Sequence, residues 1–195
     1  MSCGGWLVPR SCVPRPCHTR RVTGWQAVPV PEERLDDLEP LWRAFYEHHI
    51  EVAPHLRDRL RPFDRAWRAE RARLGSATDS FVLAAQDDDR YVGYGLVRLG
   101  SSSGFAASWA FSDPLAFLIT LTVLPAYRGR GVGSALLEAI EQRLRQRGIT
   151  DLVIDAVTTN SEAIRLYERR GAVPFVTDYV QRVRALASEQ DRRTT

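Results

Sequence analysis

Lysine is absent from this chain: all 27 of its Lys-or-Arg positions are arginine, the kind of bias that GC-rich coding gives. A Walker-type phosphate loop, which needs Gly-Lys followed by Ser or Thr, is therefore excluded. Cysteine is nearly absent too, because Cys3, Cys12 and Cys17 all lie at the very start, with His18 beside the last. They form no Cys-x-x-Cys pair and sit in a stretch without apolar periodicity, so no metal site is expected. The body after them holds no cysteine, needs no oxidising compartment, and is expected to be cytoplasmic. No apolar run approaches the roughly 20 residues of a membrane span, so no membrane partner is expected. The first residues also lack the apolar core and small-residue cleavage site of a secretory signal.

The basic charge points less to nucleic acid than its sign suggests. Residues 1–24 hold Arg10, Arg15, Arg20, Arg21 and no acid, so removing those four charges takes the net +3 to −1. A near-neutral body argues against a nucleic-acid partner. Those 24 residues read as a disordered leader or as translation from too early a start, with Val22 an alternative beginning. At 44% hydrophobic and 26% charged residues the whole chain has the composition of a folded soluble protein, and 195 residues suffice for one domain with a real core. That domain is expected over 25–184, followed by a polar tail over 185–195.

Periodicity places the elements in order. Trp25 to Val30 reads as a strand, and Pro31 opens a helix with Leu35, Leu38, Leu41, Trp42, Phe45 and His49 on one face. A second helix runs from about Pro62, with Phe63, Trp67 and Leu74 at helical spacing, and Gly75 ends it. SFVLAAQ and RYVGYGLVRLG form a hairpin about the DDD turn. After the loop SSSGFAASWAFSDP, AFLITLTVL is the most apolar run and reads as a central strand. A helix through Arg147 follows, buried on Ala135, Leu136, Ala139, Ile140 and Leu144, then the strand DLVIDAV. A helix over 161–170 and a last strand PFVTDYVQRV complete the pattern. The fold class is α/β, a mixed sheet of order β-α-α-β-β-β-α-β-α-β flanked by helices.

Between the central strand and its helix stands YRGRGVGSALLEAI. Three glycines at alternate positions leave the backbone open to close approach, and a helix N-terminus supplies free N–H groups, so the stretch suits an anion, most often a phosphate. A merely tight turn would need one glycine. A dinucleotide loop is the first rival, with Asp155 at about the right distance, but its third glycine falls on Ser134. Pro125 to Arg128 also intervene between strand and glycines, where the dinucleotide turn follows its strand directly.

Arg128-x-x-Gly131-x-Gly133 after LTVLP, with Asn160-x-x-Ala163-x-x-x-Tyr167-x-x-x-Gly171 one strand later, resembles the paired signatures of the GNAT superfamily of N-acetyltransferases. The resemblance is strong over 115–175 and extends through element order to about 25–184. It implies a single domain with a splayed central strand pair that takes acetyl-CoA as co-substrate, with no metal. The N–H groups of Arg128, Gly129, Arg130, Gly131, Val132, Gly133 and Ser134 would cradle the pyrophosphate, and the two guanidinium groups could add hydrogen bonds or face solvent. Leu121 and Asn160 would contact the pantetheine arm. Val123 would supply a backbone N–H to the thioester carbonyl, and Ala163 and Tyr167 would share a helix face with Asn160. Asn160 could instead cap its helix, or Thr159 with Glu162 could form a capping box and release it.

Acetyl transfer from a thioester to an amine expels a thiolate. A phenol of pKa near 10 can protonate a thiol of pKa near 8.5, which makes Tyr167 the expected catalytic acid, although core packing also welcomes a tyrosine there. The carboxylate or histidine that several members place on the central strand is missing, because Ile119 and Thr120 stand there. Asp113, Asp155, His48, His49 or a water chain could serve as base, and none is assigned. The implied partner is a small-molecule or peptide amine, walled by FYEHHIEVAPHLRDRLRPFDRAW and the loop carrying Phe105, Trp109 and Phe111. A homodimer is compatible with all of this.

Overall fold

The computed structural model describes residues 24–75, 79–102 and 109–181. The expected leader, the Phe105 part of the loop and the polar tail lie outside them. The chain divides into two compact units, one ending at Asn160 and the other beginning at Ser161.

The first unit is a five-stranded mixed sheet in chain order: β1 (Trp25–Pro29), β2 (Ser80–Asp87), β3 (Arg90–Gly100), β4 (Leu115–Val123) and β5 (Leu152–Ile154). The first four strands are antiparallel and β5 joins β4 in parallel. The β2–β3 hairpin turns on Asp88 and Asp89, and Asp88 takes a left-handed φ of 51°, which a short polar side chain tolerates. α1 (Glu39–Val52), α2 (Phe63–Leu74) and α3 (Val132–Gln146) pack on the sheet. The helix expected to begin at Pro31 is a 3-10 turn over Glu32–Leu38, and α1 starts only at Glu39. Pro40 is the reason: without an N–H it suits a first helical turn and would break a helix interior.

α3 approaches β3 closely because that strand carries glycines beneath it. A Cβ on Gly95 would stand 2.7 Å from Ile140 Cδ1, and one on Gly93 2.8 Å from the Thr122 carbonyl oxygen. Leu136, Ile140 and Leu144 are buried on α3 as expected, Leu137 joins them, and the expected Ala135 and Ala139 are only half buried. A second apolar cluster joins Leu35, Leu38, Leu41 and Leu74 to Val82, Ala84, Tyr91, Tyr94 and Leu96 of the sheet.

Inside the unit, Glu70 of α2 is wholly buried. Its Oε1 accepts hydrogen bonds from Tyr94 Oη (3.0 Å) and Thr120 Oγ1 (2.8 Å), and Arg73 reaches its Oε2 from the surface at 3.4 Å. Burial pushes the Tyr94 phenol well above its ordinary value, and the neighbouring carboxylate pushes it further, so it stays a donor. Helix α2 is thereby tied to β3 and β4 by polar bonds within a dry interior, where each group holds the others satisfied.

The second unit contains α4 (Ser161–Arg169). Of the strand expected over PFVTDYVQRV, the last two residues lie outside the described ones, and residues 174–181 form no ladder; Val173, Phe175, Val176, Tyr179 and Val180 are exposed. A strand exists only where another backbone accepts its hydrogen bonds, which an apolar pattern cannot guarantee.

Glu70→Ala should strand two buried hydroxyls. At about 1–3 kcal/mol for each, the loss should be about 3 kcal/mol, a Tm fall of roughly 6–12 °C by scanning calorimetry. Thr120→Val removes one donor while keeping the shape and should cost less than half as much.

Candidate active site

The site begins with a defect in β4. The Ala116 N–H donates to the Asp151 carbonyl at 3.2 Å, on the β5 side, whereas the Leu124 N–H donates to the Val92 carbonyl at 2.9 Å, on the β3 side. An unbroken strand alternates its N–H groups, so these two even-numbered residues should point the same way. They do not, because Leu96 lies opposite Thr120 while Val97 lies opposite Leu118. Ile119 is the extra residue of a β-bulge, and it reverses the direction of every N–H after it. Leu121 and Val123 therefore turn their N–H groups to the β5 side. The ladder with β5 ends at Leu118 opposite Ile154, so both groups lie beyond it, on the open flank of a splayed pair.

The strand's exit continues the pattern. Pro125–Tyr127 is a 3-10 turn in which the Arg128 N–H donates to the Pro125 carbonyl at 3.2 Å. That group is thus engaged within the chain, and the expected cradle of N–H groups is corrected to begin after it. Gly129 and Gly131 have φ of 71° and 84°, the left-handed region that glycine enters freely, and among the described residues nothing beyond their chain neighbours lies within 4 Å of where their Cβ atoms would be. Gly131 is the N-cap of α3, and no side chain caps the helix. The first intrahelical bond runs from Ala135 to the Gly131 carbonyl, which leaves the N–H groups of Val132, Gly133 and Ser134 as helix-initial donors.

The arginines divide their work. Arg128 Nε donates to the Val123 carbonyl at 3.2 Å, tying the loop to the end of β4, rather than facing solvent. The Arg130 guanidinium lies 5.5 Å from the centre of the Tyr127 ring, and Tyr127 Oη donates to Asp87 at 3.0 Å. The loop is held open by side chains while its backbone stays accessible.

On the other face, α1 is tied to the sheet unit at two points. Thr122 Oγ1 donates to the Leu41 carbonyl at 3.4 Å, and Thr159 Oγ1 donates to the Val52 carbonyl. The capping box considered for Thr159 does not fit the helix start, because α4 begins at Ser161 and the residue just before it is Asn160. Between the two ties runs an aromatic stripe: Trp42 stacks on Phe45 at 4.9 Å, and Phe45 meets His49 at 4.1 Å. The Trp42 indole N–H is buried and has no partner among the described residues.

The candidate bases separate clearly. Asp113 is exposed and receives the Ser102 N–H at 3.4 Å, and Asp155 is exposed. His48 is 3.4 Å from the Glu51 carboxylate. His49 is half buried, and its Nδ1 lies 2.9 Å from the Phe45 carbonyl. Burial holds its imidazole below the ordinary value, with the Phe45 bond opposing and His48 reinforcing. Asn160 is half buried with its N–H on the Val157 carbonyl at 2.8 Å. In the second unit, Ala163 and Tyr167 are half buried on α4, and burial pushes the Tyr167 phenol up to about 12.

Sequence reasoning missed Glu70. The central strand has no carboxylate of its own, yet one reaches Thr120 from α2 at 2.8 Å. A signal existed: Phe63, Trp67, Glu70 and Leu74 share the helical spacing that buries a face, and a charge on such a stripe must find partners. Among the described residues no group of three or more His, Cys, Asp or Glu side chains could hold a metal, and no helix is long and apolar enough to cross a membrane.

The profile of the Acetyltransferase (GNAT) family matches residues 36–172. The chain is 34% identical over 90 residues to the ribosomal protein bS18-alanine N-acetyltransferase of Escherichia coli K12, covering 46% of this chain and 60% of that protein. It is 31% identical over 140 residues to mycothiol acetyltransferase of Acidothermus cellulolyticus, covering 70% of this chain and 40% of that one. It therefore spans less than two thirds of the length of these relatives. Its fold is that of an aminoglycoside N-acetyltransferase solved in complex with CoA, with a TM-score of 0.64 at 18% identity over 86% of this chain and 99% of the other. With the bulged and splayed strand, the glycine loop and the uncapped helix in place, the chain belongs to the acetyltransferase (GNAT) family.

Proposed function

We propose that this protein is an acetyl-CoA-dependent N-acetyltransferase that moves an acetyl group to a primary amine by direct transfer. One observation carries the reading. The strand that ends in two outward N–H groups leads through the Pro125–Tyr127 turn and the glycine loop into an uncapped helix N-terminus, so donors for a carbonyl and for a phosphate lie on one continuous stretch of backbone.

On this reading the N–H groups of Val132, Gly133 and Ser134, with the open Gly129 to Gly131 backbone, hold the pyrophosphate at the positive end of α3. Leu121 and Asn160 contact the pantetheine, and Ala163 leaves room for it. The Val123 N–H faces the thioester oxygen, where a donor gains strength as negative charge develops. The amine attacks the carbonyl carbon, the C–N bond forms, and the C–S bond breaks to release a thiolate. Tyr167 is the proposed acid for that thiolate, on its motif position. The chain after Cys17 holds no cysteine for a covalent acetyl intermediate, which favours a ternary complex. The acceptor is a small-molecule or peptide amine; the names of the relatives suggest aminoglycosides and alanine N-termini as the first to try.

Titration calorimetry should detect acetyl-CoA binding, and a panel holding an aminoglycoside and an alanine-initial peptide should release free thiol. No binding to the folded protein at high micromolar concentration defeats the proposal, and binding without turnover of any amine reduces it to an acyl-CoA-binding module. Gly131→Ala forces a side chain into the left-handed region, costing about 1–2 kcal/mol of local strain, and disturbs donors to a charged group worth about 1.5–3 kcal/mol each, so acetyl-CoA affinity should fall roughly tenfold or more. Tyr167→Phe should lower turnover about a hundredfold, the low end for acid catalysis, because a phenol near 12 is always protonated yet gives up its proton reluctantly. Acetyl-CoA affinity in that variant should change less than about tenfold, since a transition-state interaction is lost.

A further inference from the structure

We propose that His49 is the general base of this reaction, taking a proton from the acceptor's ammonium on its Nε2 atom. The inference rests on the acetyl-transfer reading and names the group that the central strand does not supply.

Position comes first. α1 is tied to β4 through Leu41 and Thr122, and to the segment after β5 through Val52 and Thr159. It therefore spans the flank on which β4 and β5 part company beyond Leu118 and Ile154. The two ties are about 16 Å apart along the helix at 1.5 Å per residue, and His49 lies between them, one turn before Val52. Trp42, Phe45 and His49 follow one another at three- and four-residue spacing on a single stripe. That stripe is not built for packing alone, since it holds a buried indole donor that no described residue satisfies.

Protonation state comes second. A carbonyl oxygen can only accept, so the 2.9 Å contact with Phe45 O requires a proton on Nδ1. In the neutral ring the lone pair then sits on Nε2. Burial holds the imidazole below its ordinary value, so at neutral pH the base form is the populated one. The neighbouring His48, on the same helix and beside Glu51, works against its protonation. Thr122 and Thr159, which tie α1 to β4 and to the segment after β5, carry no charge, and Asp155 on that segment is exposed.

The chemistry closes. Trp42 and Phe45 surround His49 with apolar rings, and a neutral imidazole among them does not repel an ammonium as an imidazolium would. An ammonium of pKa near 10 is a poor donor to an imidazole near 6.5, but the same dry surroundings lower the ammonium's value too. Nε2 takes one proton, the free amine forms the C–N bond, and the C–S bond breaks. The amine's second proton balances the one that the thiolate acquires, and the imidazolium returns its proton to solvent. The products are the amide, free CoA thiol and one proton.

The test has two independent arms. Nitrogen chemical shifts of the imidazole in the full-length protein should show His49 as the Nδ1–H tautomer with a titration midpoint below 6.5. An Nε2–H tautomer, or a midpoint above 6.5, overturns the inference whatever the enzyme's activity. In the second arm, His49→Gln should lower kcat/KM at least about a hundredfold for the best amine of the panel, with acetyl-CoA affinity within about threefold. The parent's acidic limb in the pH profile should vanish in that variant. Parent-like turnover by His49→Gln, or an unchanged limb, sinks the base assignment while leaving acetyl transfer standing. An absence of turnover in the parent protein instead counts against the broader reading.

Discussion

A β-strand inside a sheet has two neighbours to satisfy its backbone, and β4 relinquishes one of them halfway along. The Ile119 bulge reverses the N–H direction, and β5, only three residues long, stops at Ile154. Each change alone would do little. Without the bulge, Leu121 and Val123 would bond to β3, and an early end to β5 would expose nothing useful. Without the early end, their N–H groups would be consumed in the parallel ladder. Together they leave directed donors at the edge of a rigid sheet, where a bound carbonyl can be met without reorganisation of the backbone.

The rest of the first unit keeps that opening from closing. Arg128 fastens the strand end to the glycine loop through the Val123 carbonyl, so the loop's charge serves structure while its backbone faces outward. On the opposite face, Glu70 fixes α2 to Thr120, the residue beside the bulge, and Thr122 and Thr159 fix α1 at two points. The Glu70 and Thr122 ties are buried, where a broken pair leaves a costly unpaired group, and the Thr159 bond secures α1 at the surface. A sheet that must stay splayed at one edge gains from being locked at its helices.

Two histidines adjacent in sequence show how environment separates chemistry. His48 stands beside the Glu51 carboxylate, while His49, one residue on, turns into the aromatic stripe and loses water. The lowered value of the His49 imidazole follows from that burial, and its tautomer follows from one carbonyl a turn earlier on the same helix. The helical period supplies both facts, because residues four apart meet along the axis.

The glycine spacing, the absence of lysine, the apolar run of β4 and the Asn160-to-Gly171 motif are local features, and the sequence alone settled the family and most elements from them. It settled the α3 face as well, since a 3.6-residue period states which side chains are buried. Long-range pairing decided the remainder. The bulge at Ile119 depends on which β3 residue faces Thr120, and no pattern within LITLTV records that. The apolar run over 174–181 looks like a strand yet has no ladder, because a strand needs a neighbour as well as a sequence. Pro40 was legible and outweighed the apolar stripe that seemed to run through it. Glu70 and His49 drew their significance from partners 50 residues away or from burial, so only the tertiary structure could separate them from the many charged residues around them.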